Sequence, residues 1–240
     1  MRLLKRIGND LGLGIGRGLT TVLCVAMTAS GAHAQGPARL AETLHRLDAA
    51  SAKFQSATAD VHKDLYERVV RETTTQVGSI YFIRKGATTQ MGATILPPAA
   101  KVVEFKDGKL RLFDPGTNHL QVFSTSDNQA KYESFLTLGF GGSGQDLAKA
   151  WMVEDQGTES MTDGKTAIKV EKLVLIPKDP GVKSTFTQVT LWLDLDRALS
   201  LKQEFVAPSG DKQTATYSNI KYNQKVDVKP FEIKCKGACS

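Results

Sequence analysis

The sequence is short of the residues that most often carry chemistry. Its 240 residues hold three cysteines and four histidines, and beyond the first 34 positions the histidines are His45, His62 and His119. No His-Glu-x-x-His pair occurs, which excludes a zincin-type centre. Ser143 lacks the second glycine of a nucleophile elbow, because Gln145 stands there. Two Ser-x-x-Lys matches, Ser209 to Lys212 and Ser218 to Lys221, fall in an expected turn and on an expected strand, and are read as chance. Gly139-Phe140-Gly141-Gly142-Ser143-Gly144 spells G-x-G-x-x-G. A dinucleotide site needs that motif between a strand and a helix of a parallel unit, and a phosphate loop needs Lys-Ser/Thr after it. Neither context is present, so the segment reads as a flexible joint between two short helices. No catalytic residue, metal site or cofactor is expected, and the chain is read as a non-enzyme.

Long hydrophobic runs are also missing. The longest apolar stretch, Gly18 to Ser30, is too short and too interrupted to span a bilayer. It follows Arg2, Lys5, Arg6 and Arg17 and precedes Ala32-His33-Ala34. Basic start, apolar middle and small residues at −3 and −1 form a secretory signal, with cleavage expected before Gln35. Leu23 before Cys24 does not fit a lipoprotein signal. Residues 1–34 carry four of the 31 basic residues and one of the 25 acidic ones, so residues 35–240 keep 27 against 24 and a net charge of +3. That balance does not mark a nucleic-acid binder. An exported single domain, residues 35–240, is expected.

Its two cysteines close the chain as Cys235-Lys-Gly-Ala-Cys239. No histidine flanks them and no second ligand pair exists, so zinc is not indicated. In an oxidising compartment they are expected to pair. The loop is too small to remove much chain entropy, so the bridge would pin the tail rather than hold the fold.

What the sequence does contain is alternation. Residues 38–57 read as a helix, with Leu40, Leu44, Leu47 and Phe54 near one face. Strands then follow at Asp60 to Tyr66, Val77 to Arg84 and Met91 to Leu96, ended by Pro97-Pro98. Val102 to Phe105 and Leu110 to Phe113 flank Asp107-Gly108, a two-residue hairpin signal. His119 to Ser124 follows as a strand. Tyr132, Phe135 and Leu136 suit a short helix, as do Leu147, Ala150 and Trp151, with Ser143 or Gly144 as its cap. Strands return at Thr166 to Ile176, Thr185 to Leu195, Leu199 to Val206 and Gln213 to Tyr222. Ten or eleven strands at this spacing predict a mainly β fold: one large curved antiparallel sheet, an incomplete barrel with a helical lid. A few helices cannot fill such a sheet's inner face, so apolar residues there are expected to line a cavity. Strand pattern and aromatic content nominate Tyr81, Ile83, Met91, Phe113, Phe123, Leu136 and Trp192 as its lining.

The order of elements resembles the periplasmic outer-membrane lipoprotein carriers, LolA and its LolB-like relatives, over about residues 38–233. The likeness rests on Phe54-Gln-Ser-Ala-Thr-Ala-Asp60 after a helix, on Gly78-Ser-Ile-Tyr-Phe-Ile-Arg84, and on Pro97-Pro98 before Lys106-Asp-Gly-Lys109 and Leu112-Phe-Asp-Pro115. Phe135-Leu-Thr-Leu-Gly139 looks like the family's lid, and Tyr217-Ser-Asn219 with Asn223 and Phe231 like its terminal strands. The resemblance implies a periplasmic carrier holding the acyl chains of lipoproteins, with an inner-membrane donor and an outer-membrane acceptor protein as partners. It maps the family's lid-latching arginine onto Arg84. Lys85 stands where the family has proline, Gly86 to Gln90 lacks its large aromatics, and the tail ends early in the cysteine pair. The alternative is a sensor or regulatory module of the same fold acting on a membrane partner.

Overall fold

The computed structural model describes residues 35–86, 88–124, 136–237 and 239. Helix α1 (Gln35–Ser51) leads into strands β1 (Ser56–Glu67), β2 (Glu72–Lys85), β3 (Thr88–Ile95), β4 (Lys101–Lys106), β5 (Lys109–Asp114) and β6 (His119–Ser124). Helix α2 (Gly144–Ala150) precedes β7 (Trp151–Asp163) and β8 (Thr166–Pro177). A one-turn helix α3 (Pro180–Lys183) leads to β9 (Gln188–Asp194), β10 (Leu199–Val206) and β11 (Lys212–Tyr222). A 3-10 turn at Lys229–Phe231 follows.

All eleven strands join one antiparallel sheet in the order β6-β5-β4-β3-β2-β1-β11-β10-β9-β8-β7. It is two meanders, β1–β6 and β7–β11, zipped together through β1 and β11. Local turn chemistry sets the meanders. Asp107 and Gly108 both take positive φ, 52° and 66°, which matches the right-handed twist of the β4–β5 hairpin. Register shifts at Thr58/Asp60, Asp155/Thr158 and Ser200/Lys202 add the bends that a strongly curved sheet needs. The sheet stays open, with β6 and β7 at its two ends. The mainly β, lidded, incomplete barrel expected from the sequence is the observed architecture.

One face of the sheet, the inner face, carries α1, α2 and the segment from Leu136 to Ser143. Leu47 and Ala50 of α1, Leu138 and Leu147 pack on Leu173, Leu191 and Leu193 in one apolar cluster. Phe54 and Phe140 pack on Ala57, Phe82 and Met91 in another. On the outer face Val170, Trp192 and Leu201 form a small third cluster. The chain after β11 crosses the outer face of the first meander. Ser56 Oγ donates to the Gln224 carbonyl, Phe231 packs edge-on to Tyr81, and the Lys236 amide donates to Asn118. Cys235 and Cys239 are disulfide-bonded at the end of this strap.

Two boundaries differ from the sequence reading. Helix α1 stops at Ser51 instead of running to 57: the Lys53 and Phe54 amides turn back onto the Ala50 and Ser51 carbonyls. Ser-Ala-Thr-Ala is then taken into β1, where Ala57 and Ala59 lie beneath Phe54 and Phe140. Trp151, expected in a helix, is the first residue of β7 and ends α2 by donating its amide to Leu147. Residues 1–34, with the expected signal, and Tyr132 and Phe135 of the expected lid helix lie outside the described residues. No helix among the described residues is long and apolar enough to cross a membrane.

Candidate functional site: a lidded inner groove

The inner face has a floor of small residues. Ala57, Ala59 and Val61 on β1, Ala93 on β3 and Ala215 on β11 all belong to the cluster beneath Phe140. Strand pairing accounts for this: Ala57 lies opposite Phe82, Ala59 opposite Ile80 and Val61 opposite Gly78, and directly paired residues share a face. A small-residue floor under a curved sheet leaves a trough, and Phe140 fills it. Its ring stacks on Phe82 with centroids 4.0 Å apart and meets Tyr217 edge-on at 4.8 Å.

Phe140 is held there by its neighbours. Gly139 and Gly141 have φ of 76° and 75°, a region open to glycine and strained for other residues. A Cβ on Gly141 would lie 2.3 Å from the Phe54 ring, and one on Gly139 2.2 Å from Ser200 Oγ. Between them Phe140 bridges to Leu199 of β10. The Ser200 amide donates to the Gly139 carbonyl and the Gly141 amide to the Ala198 carbonyl. The glycine-rich joint is thus a wedge pinned on β10.

Arg84, at the end of β2, is the chief polar clasp. It shares the inner face with Phe82, being two residues on. Its guanidinium donates to the Ser51 carbonyl at 2.7 Å and to the Gly141 carbonyl, and lies 5.5 Å from the Phe54 ring centroid. One side chain therefore ties the end of α1 to the wedge. Ser51 Oγ also donates to the Gly141 carbonyl. A second clasp was not foreseen from sequence: Gln203 Nε2 donates to the Leu138 carbonyl at 2.6 Å, and Tyr217 Oη donates to Gln203 Oε1. A polar residue recurring at an inward position of an apolar strand was its only signal. Burial pushes the Tyr217 phenol well above its ordinary pKa. Helix α1 is anchored at its other end, where Arg39 pairs with Glu171 and Asp155 and Thr43 Oγ donates to Asp155.

Beside the wedge is a cleft of about 780 Å³, within the roughly 300–1,000 Å³ of small-molecule sites. Leu47, Leu138, Leu147, Trp151, Leu191 and Leu193 line it, and Arg84, Gly141 and Ser143 stand at its wall. Ser143 caps α2, its Oγ accepting from the Asp146 amide.

The seven nominated lining residues divide. Met91 lies opposite Phe82 and Phe105 on the inner face and is buried. Leu136 packs against the Phe140 cluster. Phe123 is opposite Leu110 and so faces inward, but at the free edge β6, where it is 48% exposed. Four were expected inside and are on the outer face. Tyr81 and Ile83 alternate with inward Ile80, Phe82 and Arg84; Tyr81 lies over Gly92, whose Cβ would sit 2.4 Å from its ring, and under Phe231. Phe113 follows Leu112, which pairs with inward Val103, and is buried on the outer side. Trp192 donates to Glu159 and lies beneath Lys172 and Lys202, 5.2 and 4.5 Å from its ring. The physical reason is common to all four. Large apolar side chains were read as cavity lining, whereas strand register and not side-chain size sets the face, and much of the floor beneath Phe140 is alanine.

No protein-family model matches the sequence, and no curated protein matches it. Solved structures match in fold. MucB superposes with a TM-score of 0.51 at 16% identity, covering 82% of this chain and 63% of MucB, so the chain spans less than two thirds of that protein. An uncharacterized conserved protein from Thermus thermophilus gives 0.51 at 13% identity, covering 83% of this chain and 96% of that one. LolA superfamily protein NE2245 from Nitrosomonas europaea gives 0.38 at 16% identity, covering 81% and 97%. With its open eleven-stranded antiparallel sheet and helical cover, the chain shares its fold with MucB and the Thermus thermophilus protein.

Proposed function

We propose that this protein is a non-catalytic periplasmic carrier that takes the acyl chains of a lipoprotein, or of a related lipid, into the inner groove and moves them towards the outer membrane. The observation that carries this reading is the Phe140 wedge: an aromatic side chain on a glycine-flanked joint occupies a trough of alanines beside an apolar cleft. An acyl chain offers the trough the same apolar contact, at about 0.8 kcal/mol per methylene buried. The clasps suit a lid that must open and close. Hydrogen bonds from a guanidinium are worth about 1.5–3 kcal/mol each, which a bound chain can outweigh. The expected partners are a lipidated cargo, a donor at the inner membrane and an acceptor at the outer membrane. The N-terminal signal read from the sequence supports export.

The test is extraction of the protein purified from its native envelope. Mass spectrometry should find co-purifying lipid, and the stripped protein should take up a neutral apolar dye in proportion to its concentration. Protein that carries no lipid and takes up no dye overturns the reading. The MucB likeness favours a second reading, a regulatory module on a membrane partner. One stoichiometric membrane protein in a pull-down, with no lipid bound, would decide for it.

A further inference from the structure

The trough has a floor that changes character at one end. Along β1 the inward residues run Ala57, Ala59, Val61, Lys63 and Leu65. Lys63 lies directly opposite Ala215 on β11 and Gln76 on β2, and Ala215 belongs to the cluster beneath Phe140. Paired residues share a face, so Lys63 points into the groove. It is half-buried.

Among the described residues its strand neighbours on that face hold no acid. The inward neighbours are Val61 and Leu65 on its own strand, Gln76 on β2, Gln213 and Ala215 on β11, and Gln203 and Phe205 on β10. The nearby His62 and Asp64 alternate to the outer face, where the imidazole lies 3.3 Å from the Asp64 carboxylate and Thr75 donates to that carboxylate. Three other cations of the inner face are engaged: Arg84 by carbonyls, Arg39 by Glu171 and Asp155, Lys101 by Asp114. Among the described residues no ion-pair partner falls to Lys63. Burial holds its ammonium below the ordinary lysine pKa, the mark of a charge lacking compensation.

Distance completes the geometry. Six residues of strand separate Lys63 from Ala57, which lies under the wedge, or roughly 20 Å. One leaflet's acyl chains occupy about half of a roughly 30 Å hydrocarbon core. An alkyl chain of that length, with its head group at Lys63, would lie along the alanine floor and end near Ala59, short of the clasp at Arg84.

We infer that Lys63 is the head-group anchor of the groove and that the ligand is an anionic amphiphile, its carboxylate or phosphate on the Lys63 ammonium and its alkyl chain along the floor that Phe140 now covers. This deepens the lipid-carrier reading and rests on it. A lysine that merely lays its stem on the floor and sends its ammonium to water would confer no head-group preference.

The test uses displacement of a neutral naphthylamine dye from the purified protein by hexadecanoic acid, a lysophosphatidic acid and hexadecanol, with the wild type, Lys63→Met and Lys63→Arg. The wild type should bind the two anions roughly tenfold or more tightly than the alcohol. Lys63→Met should lose that preference and keep its affinity for hexadecanol; Lys63→Arg should retain it. Inorganic phosphate alone should not raise the melting temperature. An equal preference in Lys63→Met, no preference in the wild type, or a phosphate-induced rise that Lys63→Met abolishes overturns the anchor while leaving lipid binding intact. Failure of all three amphiphiles to displace the dye removes the carrier reading, and the anchor with it.

Discussion

The ring of Phe140 lies 12° from parallel to that of Phe82, centroid over centroid at 4.0 Å. Phe140 belongs to a loop and Phe82 to the centre of the sheet, so this stack is where lid and floor meet. Because both flanking residues are glycines at positive φ, the wedge is inserted by a local backbone geometry that is itself replaceable. Among the described residues Phe140 covers the alanine floor together with Phe54 and Leu136.

Phe140→Ala should therefore do two opposite things. Removing a buried phenylalanine costs about 3–5 kcal/mol, so the urea midpoint should fall. The emptied trough should take up an apolar dye more tightly than the wild type does. A variant that is destabilised but binds dye no better would mean that the trough collapses when vacated.

Arg84→Ala removes the donors to Ser51 and Gly141. The loss should be about 2 kcal/mol or more, since bonds from a charged donor are involved. It should be localised: amide exchange should accelerate at residues 139–144 and at the end of α1, and stay slow in β8 and β9. Arg84→Lys should fall between, because an ammonium cannot reproduce the fork that spans two carbonyls. Uniform acceleration across the sheet would show that Arg84 supports the whole fold and not the lid.

The sequence made the sheet legible because its signals are local. Asp107-Gly108 announces a turn whichever way the sheet curves, and alternation gives strand identity without partners. Face was not legible. Tyr81 and Phe82 are adjacent, equally apolar and both buried, and only the register decides that Phe82 meets Phe140 while Tyr81 meets Phe231. The strap that buries Tyr81 arrives from 150 residues further along the chain, which no window of sequence reveals. Gln203 escaped notice for the same reason: its partners, Leu138 and Tyr217, are assembled by the fold. Arg84 could be nominated because it came with a resemblance, and its carbonyl partners were supplied by the backbone, which every sequence has.

Alkaline pH should test the second clasp. The buried Tyr217 phenol resists ionisation in the folded state, whereas an unfolded tyrosine ionises near pH 10. A raised folded pKa gives stability that is complete below about pH 10 and is lost as pH climbs towards the folded value. The denaturation midpoint should drop between about pH 9.5 and 11, and drop less in Tyr217→Phe. Some slope should persist there, because Tyr81 is shifted in the same direction. Identical slopes would mean that the phenol is reached by water.

The outer strap makes the last prediction. Phe231 meets Tyr81 at 4.9 Å and 72°, and Tyr81 in turn covers Gly92. Burial, and next to it the negative charge of Glu104, holds the Tyr81 phenol above its ordinary pKa. Phe231→Ala should uncover the ring, so its absorbance titration should move back towards about pH 10, with a stability loss of about 3 kcal/mol. Reduction of Cys235–Cys239 should do far less. The bridge closes a loop of only a few residues, and the chain entropy it removes is correspondingly small. Phe231 anchors the strap upstream of it and should keep Tyr81 covered. If reduction alone shifts the Tyr81 titration as far as Phe231→Ala does, the bridge and not the aromatic contact holds the strap down.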